Sequence, residues 1–519
     1  MGSVVARSPH RLQSCSEAAM VHQSIYWIVL AGTVTVTACS DSMAPGVPEL
    51  AIRDTTLLVD ETLIVPVTAV DAHGREITNP SITFTSSVPS VLSIIGPGTV
   101  SALAPGTSVL TATMDQLVAQ ATITVAPHFT HLAVGAGHAC GITGRGELYC
   151  WGTSIRGELG PAPGIQNCRE VAGAPCSTVP IRSSSLRPVE IVAGDMHTCA
   201  LAADGTAYCW GANFYGEAGT GTMSDVPVPT PVAGGHSFAH LVAGRMHTCG
   251  ITTSLIAYCW GRDWTGALGA GDVSSERCLG FSIDPCSSTP RPVVGKHHWA
   301  QLAANDRATC GVTTSGELYC WGLDVGGDDG QYCQWPDNLT GCTRTPILIA
   351  SAKAYKATSI GDVHHCQQAL DGTLECWGAN YWGMFGDGTV NSSPTPVTAA
   401  GGATYASFLA LRTGTCALSS DARAQCWGRG DSGAIGNGAL QDALSPVDVS
   451  DGYRFLALAA SGVSDFVCGT TDTGRAYCWG AGAFGQLGNN TFLSASEPVL
   501  VRLIPTSPAA TAKRASRGG

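Results

Sequence analysis

The sequence contains little charge and very little lysine. Charged residues make up 13% of the 519 positions, the formal net charge is −12, and only four lysines occur. A protein that wraps nucleic acid needs many cations to neutralise phosphates, and the only basic cluster here is Lys513, Arg514 and Arg517 at the end of the chain. We therefore expect no nucleic-acid partner.

The sequence also lacks the short motifs of common catalytic and metal sites. It contains no nucleophile elbow, phosphate-binding glycine loop, zinc helix motif or calcium loop. Its cysteines do not have the Cys-x2-4-Cys spacing of zinc sites. We therefore expect no catalytic residue, no metal and no cofactor.

A Cys-Trp-Gly tripeptide, in contrast, occurs seven times with a period of 50 to 61 residues, which indicates a repeat architecture. Another cysteine stands ten residues before each tripeptide, and glycines follow six and nine residues after each tryptophan. A Pro-Val or Pro-Ile step closes each unit, beginning with Pro188-Val189. The cysteine pairs are Cys140 and Cys150, Cys199 and Cys209, Cys249 and Cys259, Cys310 and Cys320, Cys366 and Cys376, Cys416 and Cys426, and Cys468 and Cys478.

These cysteines are predicted to form disulfides. A Gly- or Asp-containing turn lies midway between the two members of a pair, so an antiparallel hairpin places them opposite one another, within disulfide reach. The longer repeats (first, third and fourth) contain three further close pairs, and Cys15 and Cys39 are left over. This even, regular pattern predicts an oxidising compartment. The further pairs are Cys168 and Cys176, Cys278 and Cys286, and Cys333 and Cys342.

The N-terminal region is predicted to be an export signal. Residues 25–38 form an apolar run that is too short to span a bilayer, with Arg7 and Arg11 before it and Met20 as an alternative start. Val36-Thr37-Ala38-Cys39 resembles the lipobox of bacterial lipoproteins. That resemblance implies a lipoprotein-type signal peptide at 1–38, a lipid on Cys39 and a linker at 39–48. The alternative is an ordinary signal with a chance cysteine at its cleavage site.

Residues 49–126 alternate apolar and polar positions in short runs separated by turns, which predicts a small β-sandwich. The segment Thr83 to Val91, followed by Gly98-Thr99-Val100 and Pro105-Gly106-Thr107, resembles a group 2 bacterial immunoglobulin-like domain. Phe84 stands where that family usually has tryptophan. The resemblance implies a spacer or adhesion module without catalytic residues.

The repeats at 129–504 resemble those of the regulator of chromosome condensation family. The match is clearest from Ala193 through His197 to Leu201, at Tyr208 to Asn213, and at Gly485-Gln486-Leu487-Gly488. The resemblance implies a seven-bladed β-propeller of four-stranded blades. The fold class is therefore all-β, a seven-bladed β-propeller preceded by a small immunoglobulin-like β-sandwich, with a disordered tail at 505–519.

The cysteine pairs are a departure from that family. The nuclear founding member lacks them, and a disulfide-bonded exported propeller does not exchange nucleotide on a cytoplasmic GTPase. We do not transfer that function.

Two other patterns are judged structural or accidental. A histidine stands two residues before the first cysteine of four repeats, and we expect a hydrogen bond inside each blade rather than a metal site. Arg429-Gly430-Asp431-Ser432 spells an adhesion tripeptide, which we interpret as a chance match in a Gly-rich loop. The four histidines are His138, His197, His247 and His364.

The candidate binding residues lie four and five positions after the Trp of five repeats. Equivalent loops emerge at one end of a propeller, and aromatic residues are typical of binding hot spots. The alternative is that these rings pack between blades. The residues are Ile155, Arg156, Phe214, Tyr215, Trp264, Tyr381, Trp382 and Phe484. The stapled inserts (167–177, 277–287 and 332–343) are either pre-organised binding loops or loops protected from proteolysis.

The predicted function is that of an exported, lipid-anchored binding protein. It would sit in the cell envelope outside the cytoplasm, as a monomer attached to the membrane only through lipid, and recognise a protein or envelope component. The alternative is a polysaccharide-acting lyase or hydrolase, which would require convergent carboxylates on one face.

Overall fold

A computed structural model describes residues 48–502, except positions 169, 171, 273, 275, 277, 279–284, 324–341 and 350–352. The predicted signal peptide, Cys15, Cys39, all of the linker except Pro48, Cys333 and the predicted tail lie outside the described residues. The described part of the chain has no helix with the length and apolarity needed to cross a membrane.

The N-terminal unit is built from nine strands in three sheets, ordered β1-β4, β2-β9-β8-β5 and β3-β7-β6. Leu92, Leu110 and Ile123 form the fully buried centre of its core. The apolar run at 63–70 is divided between two strands separated at Val65–Val67, where Pro66 cannot donate a backbone hydrogen bond. The strands are β1 (Glu49–Ala51), β2 (Thr55–Leu58), β3 (Thr62–Ile64), β4 (Thr68–Val70), β5 (Thr83–Ser86), β6 (Leu92–Gly96), β7 (Thr99–Ala102), β8 (Gly106–Met114) and β9 (Leu117–Ala126).

Seven antiparallel sheets follow, numbered here in chain order. Sheet 1 contains β10 (Phe129–Val134), β11 (His138–Thr143), β12 (Leu148–Thr153), β13 (Gln166–Cys168) and β14 (Ala174–Arg182). Sheet 2 contains β15 (Pro188–Ala193), β16 (His197–Ala202), β17 (Ala207–Gly211) and β18 (Val226–Pro231). Sheet 3 contains β19 (Phe238–Ala243), β20 (His247–Thr252), β21 (Ala257–Arg262) and β22 (Cys286–Pro292). Sheet 4 contains β23 (Trp299–Ala304), β24 (Ala308–Thr313), β25 (Leu318–Leu323) and β26 (Cys342–Leu348).

The remaining three sheets have the same four-strand order. Sheet 5 contains β27 (Tyr355–Ile360), β28 (His364–Ala369), β29 (Leu374–Gly378) and β30 (Ser393–Thr398). Sheet 6 contains β31 (Ser407–Ala410), β32 (Gly414–Leu418), β33 (Ala424–Gly428) and β34 (Ala443–Asp448). Sheet 7 contains β35 (Phe455–Ala459), β36 (Phe466–Thr471), β37 (Ala476–Gly480) and β38 (Ala495–Leu500). Two short 3-10 helices, Ala400–Gly402 and Ser450–Gly452, precede the last two sheets.

The paired cysteines join the second and third strands of every sheet. Cys140 lies opposite Cys150 in the register, as do the equivalent residues of the other six sheets. The Cα–Cα distances of these seven disulfides are 4.0 to 4.1 Å, as the hairpin geometry requires. Cys168 and Cys278 pair with Cys176 and Cys286.

Two details of the repeat differ from the sequence prediction. Sheet 1 has five strands, because the stapled insert adds β13 beside β14. Pro188-Val189 does not close the first repeat, because it begins the first strand of sheet 2. Pro180-Ile181 in the last strand of sheet 1 is the equivalent step, with Ile181 opposite Cys150.

Tryptophan connects each sheet to the one before it. The Trp of Cys-Trp-Gly is fully or almost fully buried in all seven sheets. The Trp210 indole N–H donates to the carbonyl oxygen of Glu158 in sheet 1, at 2.8 Å. Trp151 in sheet 1 donates to the Gln486 carbonyl of sheet 7, also at 2.8 Å. Because β10 also lies against β35 and β36, the first and last sheets are neighbours and the array closes on itself.

Candidate functional site

Each sheet has two chemically different ends. Strands alternate in direction, so the connection after the first strand and the loop after Cys-Trp-Gly emerge together at one end, which we call the loop face. The turns between second and third strands, such as Asp204-Gly205, emerge at the other end, the turn face. A 2.7 Å hydrogen bond from Thr265 Oγ1, in the loop after β21, to the Arg307 carbonyl, in the connection after β23, joins the two kinds of loop.

The predicted binding residues lie on the loop face, where arginines cover four of the aromatic rings. The Arg156 guanidinium lies 4.5 Å from the centre of the Phe214 ring, and so links sheets 1 and 2. Arg262 lies 4.9 Å from Tyr215 and 4.6 Å from Trp264. These contacts are cation–π pairs between neighbouring sheets or within one sheet.

The same residues remain partly or largely accessible. Tyr381 is 64% exposed, Ile155 49% and Phe484 41%, whereas Phe214, Tyr215, Trp264 and Trp382 are half-buried. The two readings of the sequence therefore both apply, because the half-buried rings stack against neighbouring loops and still present an edge to solvent.

The adhesion-like tripeptide is part of this arrangement. Arg429 Nη2 pairs with Asp431 Oδ2 at 2.6 Å, and its guanidinium lies 5.0 Å from the Trp382 ring centre. The charged groups of the tripeptide are thus bonded to each other and to the neighbouring sheet.

An alternating ring of charges, which the sequence reasoning missed, stands at the start of the second strands on the loop face. Arg245 Nε and Nη1 lie 3.0 and 3.5 Å from the carboxylates of Asp195 and Asp306. On the other side, Asp362 lies 3.6 Å from Arg307 and 3.8 Å from Arg412.

The ring ends at Asp465, which lies 3.4 Å from Arg412. The charges stand three or four residues before the first cysteine of six repeats, and the fourth repeat contributes both Asp306 and Arg307. A comparison of these two positions between repeats is the signal that would have found the charges.

The connection before β36 reaches from sheet 7 to sheets 4 and 5 on the loop face. This connection is longer than the equivalent connections of the other sheets. Its Gly462 is tightly packed. A Cβ at this position would lie 2.1 Å from the Ile360 carbonyl oxygen of sheet 5 and 3.4 Å from Cβ of Asn305 in sheet 4.

The repeated histidines bond between sheets, and the predicted hydrogen bond inside each blade is wrong. His138 Nε2 lies 2.9 Å from Thr198 Oγ1 of the next sheet, and Thr198 donates to the Glu158 carbonyl at 3.0 Å. Because a hydroxyl has one proton, Nε2 of His138 is the donor. The same His–Thr contact joins His197 to Thr248, His247 to Thr309 and His364 to Thr415.

Burial lowers the pKa of these histidines, to about 4 for His138 and His247 and to about 3 for His197 and His364. They are thus neutral hydrogen-bond donors between sheets.

Where the histidine is missing, the side chain at the partner position of the next sheet changes size in the opposite direction. Ala308 replaces it in sheet 4, and His365 replaces the partner threonine in sheet 5. Gly414 replaces the histidine in sheet 6, and Val467 stands at the partner position in sheet 7. Phe466 replaces the histidine in sheet 7, and Ala139 stands at the partner position in sheet 1. His365 stacks on Trp377 at 4.9 Å and lies 3.7 Å from Cys310 Sγ.

Cys310, Cys320 and His365 form a group of ligand-type atoms, but both sulfurs are in a disulfide and are not available to a metal.

Two buried carboxyl groups hold the aromatic loops. Glu158 Oε2 accepts the backbone N–H of Arg156 at 2.6 Å, and Glu217 Oε2 accepts that of Tyr215 at 2.7 Å. Gln486 performs the same role for Phe484 in sheet 7. Burial raises the pKa of Glu158 and of Glu217 to about 7.

The N-terminal unit contacts the opposite, turn face. Arg145, in the β11–β12 turn, donates to the Leu103 carbonyl at 2.8 Å and to Asp60 at 2.6 Å. Arg475, in the β36–β37 turn, lies 3.9 Å from Glu61. The predicted binding residues therefore point away from the N-terminal unit.

Comparisons with known proteins agree with this architecture. Two models described as regulator of chromosome condensation (RCC1) repeat match the chain, one at 129–158, 189–217 and 299–331 and the other at 145–201, 204–251 and 473–515. The chain is 28% identical over 262 residues to the ultraviolet-B receptor UVR8 of Arabidopsis thaliana, covering 50% of this chain and 54% of that protein. It is 27% identical over 266 residues to human E3 ubiquitin-protein ligase HERC2, covering 50% of this chain and 5% of that protein. The chain thus spans about half of one relative and a small part of the other.

Solved structures show the same fold. Prp20p from Saccharomyces cerevisiae superimposes with a TM-score of 0.55 at 21% identity, covering 69% of this chain and 86% of that chain. Human WBSCR16 superimposes with a TM-score of 0.54 at 16% identity, covering 66% and 87%. The chain is an all-β protein with antiparallel four-stranded sheets. It carries segments that match regulator of chromosome condensation repeats and folds as an RCC1-type β-propeller.

Proposed function

We propose that this chain is an exported, lipid-anchored binding protein of the bacterial cell envelope. In this proposal each of the seven sheets is one blade, and a bacterial immunoglobulin-like spacer at 49–126 connects a lipid on Cys39 to the propeller. A monomer recognises a protein or envelope component through the loop face. The related Prp20p has been studied for its binding properties to Gsp1p and histones, so a propeller of this repeat type is suited to protein partners.

The observation that carries the proposal is the concentration of Trp, Tyr, Phe and Arg side chains on one face. Phe214, Tyr215, Trp264 and Trp382 are held in place by arginines, and Tyr381 and Phe484 stand exposed beside them. Aromatic residues and arginine are the residue types that dominate interface energetics, and fixed rings lose little conformational entropy on binding.

The position of the N-terminal unit also supports binding through the loop face. Asp60, Glu61 and Leu103 contact the turn face, so the loop face is turned away from the part of the chain that carries the proposed anchor. A partner would therefore approach without displacing the N-terminal unit.

The polysaccharide-acting alternative would need two carboxyl groups that converge on a substrate. The two carboxyl groups with pKa raised to about 7, Glu158 and Glu217, are buried in separate loops, and each holds a backbone N–H of its own loop. The acidic members of the charge ring are paired with arginine. We therefore favour binding.

The test is capture of a partner from envelope extracts with the purified chain and with a Tyr381→Ala/Trp382→Ala variant. Leu370→Ala is the matched control, because Leu370 lies on the turn face of the same sheet and is 67% exposed. We expect a partner that is retained by the native chain and by Leu370→Ala and lost by the double variant. Equal capture by all three proteins would rule out the loop face as the binding site.

A further inference from the structure

We propose that a groove between the last strands of sheets 1 and 2, β14 and β18, binds a proline-rich segment of a partner protein that carries an acidic residue. The groove has a volume of about 910 Å³, which is in the size range of protein ligand sites. Its lining consists of three prolines, one leucine, one tyrosine, three serines and two arginines. None of the candidate binding residues of the loop face lines it, so this second site goes beyond the proposed function and does not depend on it.

The groove lies where a backbone tie between neighbouring sheets is missing. Elsewhere the loop after the third strand donates to the last strand of the next sheet, as Gly221 N–H of sheet 2 does to the Ser288 carbonyl of sheet 3 at 2.8 Å. In sheet 1 the equivalent N–H, that of Ala162, donates to the Gly160 carbonyl of its own loop at 2.9 Å. Among the six junctions whose loops the structure describes, only this one lacks the tie. The remaining ties are Gly271 to Arg344, Gly388 to Leu444, Gly438 to Ser496 and Asn490 to Thr178, at 2.8 to 2.9 Å.

The sequence explains why sheet 1 has no tie. The residue that makes the tie in the five other loops is Gly or Asn with a φ of 62° or more, between 69° and 83°, a conformation that these two residue types adopt most readily. Ala162 stands at this position in sheet 1 and does not have a positive φ. Its neighbours Pro161 and Pro163 have no backbone N–H and a fixed φ of about −65°. The segment therefore turns its one N–H towards its own loop, and its two prolines line the groove.

A tyrosine ring is uncovered at the same junction. In sheet 3, Tyr258 of the Tyr-Cys-Trp-Gly sequence lies 4.1 Å from the ring of His236. Leu186 stands at the corresponding position in sheet 2, beside Tyr208. In the part of the chain that the structure describes, the Tyr208 side chain has no ring contact and no hydrogen bond, so both its ring and its hydroxyl are available to a ligand. Equivalent ring pairs are Tyr319 with His297 at 4.2 Å and Tyr477 with Tyr453 at 4.4 Å.

The polar groups of the groove are chiefly hydrogen-bond donors. They belong to arginine, tyrosine and serine, and no Asp, Glu, Asn, Gln or His lines the groove among the described residues. A proline-rich segment presents carbonyl acceptors with few N–H groups, and its rings pack on tyrosine and proline. A glycan presents many hydroxyl donors, for which the groove lacks carboxylate and amide acceptors. The lining therefore favours a proline-rich segment over a glycan.

The two arginines determine the charge that the segment carries. Arg182 is 49% exposed and lies 3.3 Å from Glu147. Arg187 donates to the Arg145 carbonyl and has no carboxylate partner among the described residues. A carboxylate on the partner can accept two hydrogen bonds from the free edge of a guanidinium. The groove is thus a locally positive site on a chain with a net charge of −12, and an acidic residue beside the prolines complements it.

Fluorescence anisotropy with the full chain tests the proposal with two labelled peptides, PPEPPEPP and PPKPPKPP. The acidic peptide should bind saturably, and the lysine peptide should bind at least about tenfold more weakly. Arg187→Glu should reverse this preference, because it replaces the unpaired cation by an anion. Tyr208→Ala should weaken binding of PPEPPEPP at least about tenfold, whereas Tyr258→Ala, the matched change in sheet 3, should leave it unchanged.

A variant that closes the groove tests the structural origin of the site. Pro161→Thr/Ala162→Gly/Pro163→Thr gives sheet 1 the Thr-Gly-Thr sequence of the sheet 2 loop, and it should abolish binding of PPEPPEPP by restoring the tie. Thermal denaturation shows which variants are folded, and the exposed Arg187→Glu keeps the test decisive if the loop variant does not fold.

Absence of PPEPPEPP binding, equal binding of PPKPPKPP, or unchanged binding in the folded loop variant would each overturn the proposal. Binding of trigalacturonate without binding of PPEPPEPP would overturn it in favour of an acidic glycan. The Tyr381→Ala/Trp382→Ala variant of the loop face should bind PPEPPEPP as the native chain does, and a loss there would assign the peptide to the loop face instead. A loop face that captures no partner would leave this groove unaffected.

Discussion

The buried glutamates beneath the aromatic loops make a quantitative prediction about stability and pH. Glu158 and Glu217 are almost completely buried, and each accepts one backbone N–H. Gln486 accepts the equivalent N–H in sheet 7 with a neutral amide, so the position does not require a charge. Replacing Glu217 by glutamine should therefore preserve the loop and remove the ionisation.

The magnitude follows from the change in pKa on folding. Burial raises the pKa of Glu217 from 4.5 to about 7. Between these two pH values the folded chain holds a proton that the unfolded chain has released, so the free energy of unfolding falls as pH rises and the full cost is present above pH 7. The shift corresponds to about 3 kcal/mol for the carboxyl group at pH 8.

Urea denaturation at pH 4.5 and pH 8 tests this. Glu217→Gln should unfold at the same urea concentration as the native chain at pH 4.5 and at a clearly higher one at pH 8. The reverse change, Gln486→Glu, is the matched control and should lower stability at pH 8 but not at pH 4.5. A gain from Glu217→Gln that is equal at both pH values would refute the reasoning, because it would then arise from packing and not from ionisation.

Three further predictions concern the junctions, the disulfides and the anchor. Ala308→His and His365→Thr should each lower the free energy of unfolding by about 1–3 kcal/mol. The double variant should recover much of this loss, because it restores the His–Thr pair of the other junctions. Additive losses in a double-mutant cycle would contradict this prediction. Peptide mapping without reduction should find Cys140 linked to Cys150, and free thiols there would argue against an oxidising compartment. Cys39→Ser should release the protein from membranes, and unchanged membrane association would disprove the lipid anchor.

Much of the propeller could be predicted because its repeat is strict. The ten-residue spacing of the cysteines around a turn determines a hairpin, and its register follows with Cys140 opposite Cys150. The tryptophan of Cys-Trp-Gly stands where the register between the third and fourth strands shifts, and it is buried in every sheet. Pro188 was misassigned because the insert lengthens the first repeat, and spacing from the tryptophan then no longer marks the last strand.

The contacts between sheets could not be read in the same way. His138 and Thr198 are sixty residues apart, and nothing in either repeat alone shows that one side chain meets the other. The charge ring is harder still, since Asp195 and Arg245 have opposite signs at one repeat position and look like variation. Only the packing of consecutive sheets makes such positions neighbours. The candidate site was found because its aromatic residues recur in one loop, whereas the arginines over those rings come partly from other loops.

Site-specific photocrosslinking in cells of the producing organism tests the central claim, recognition through the loop face, most directly. A photoreactive phenylalanine analogue is placed at Tyr381 on the loop face or at Leu370 on the turn face of the same sheet, positions of similar exposure at 64% and 67%. We expect a discrete crosslinked product from Tyr381 and none from Leu370. A product from Leu370 alone, or none from Tyr381, would contradict the account.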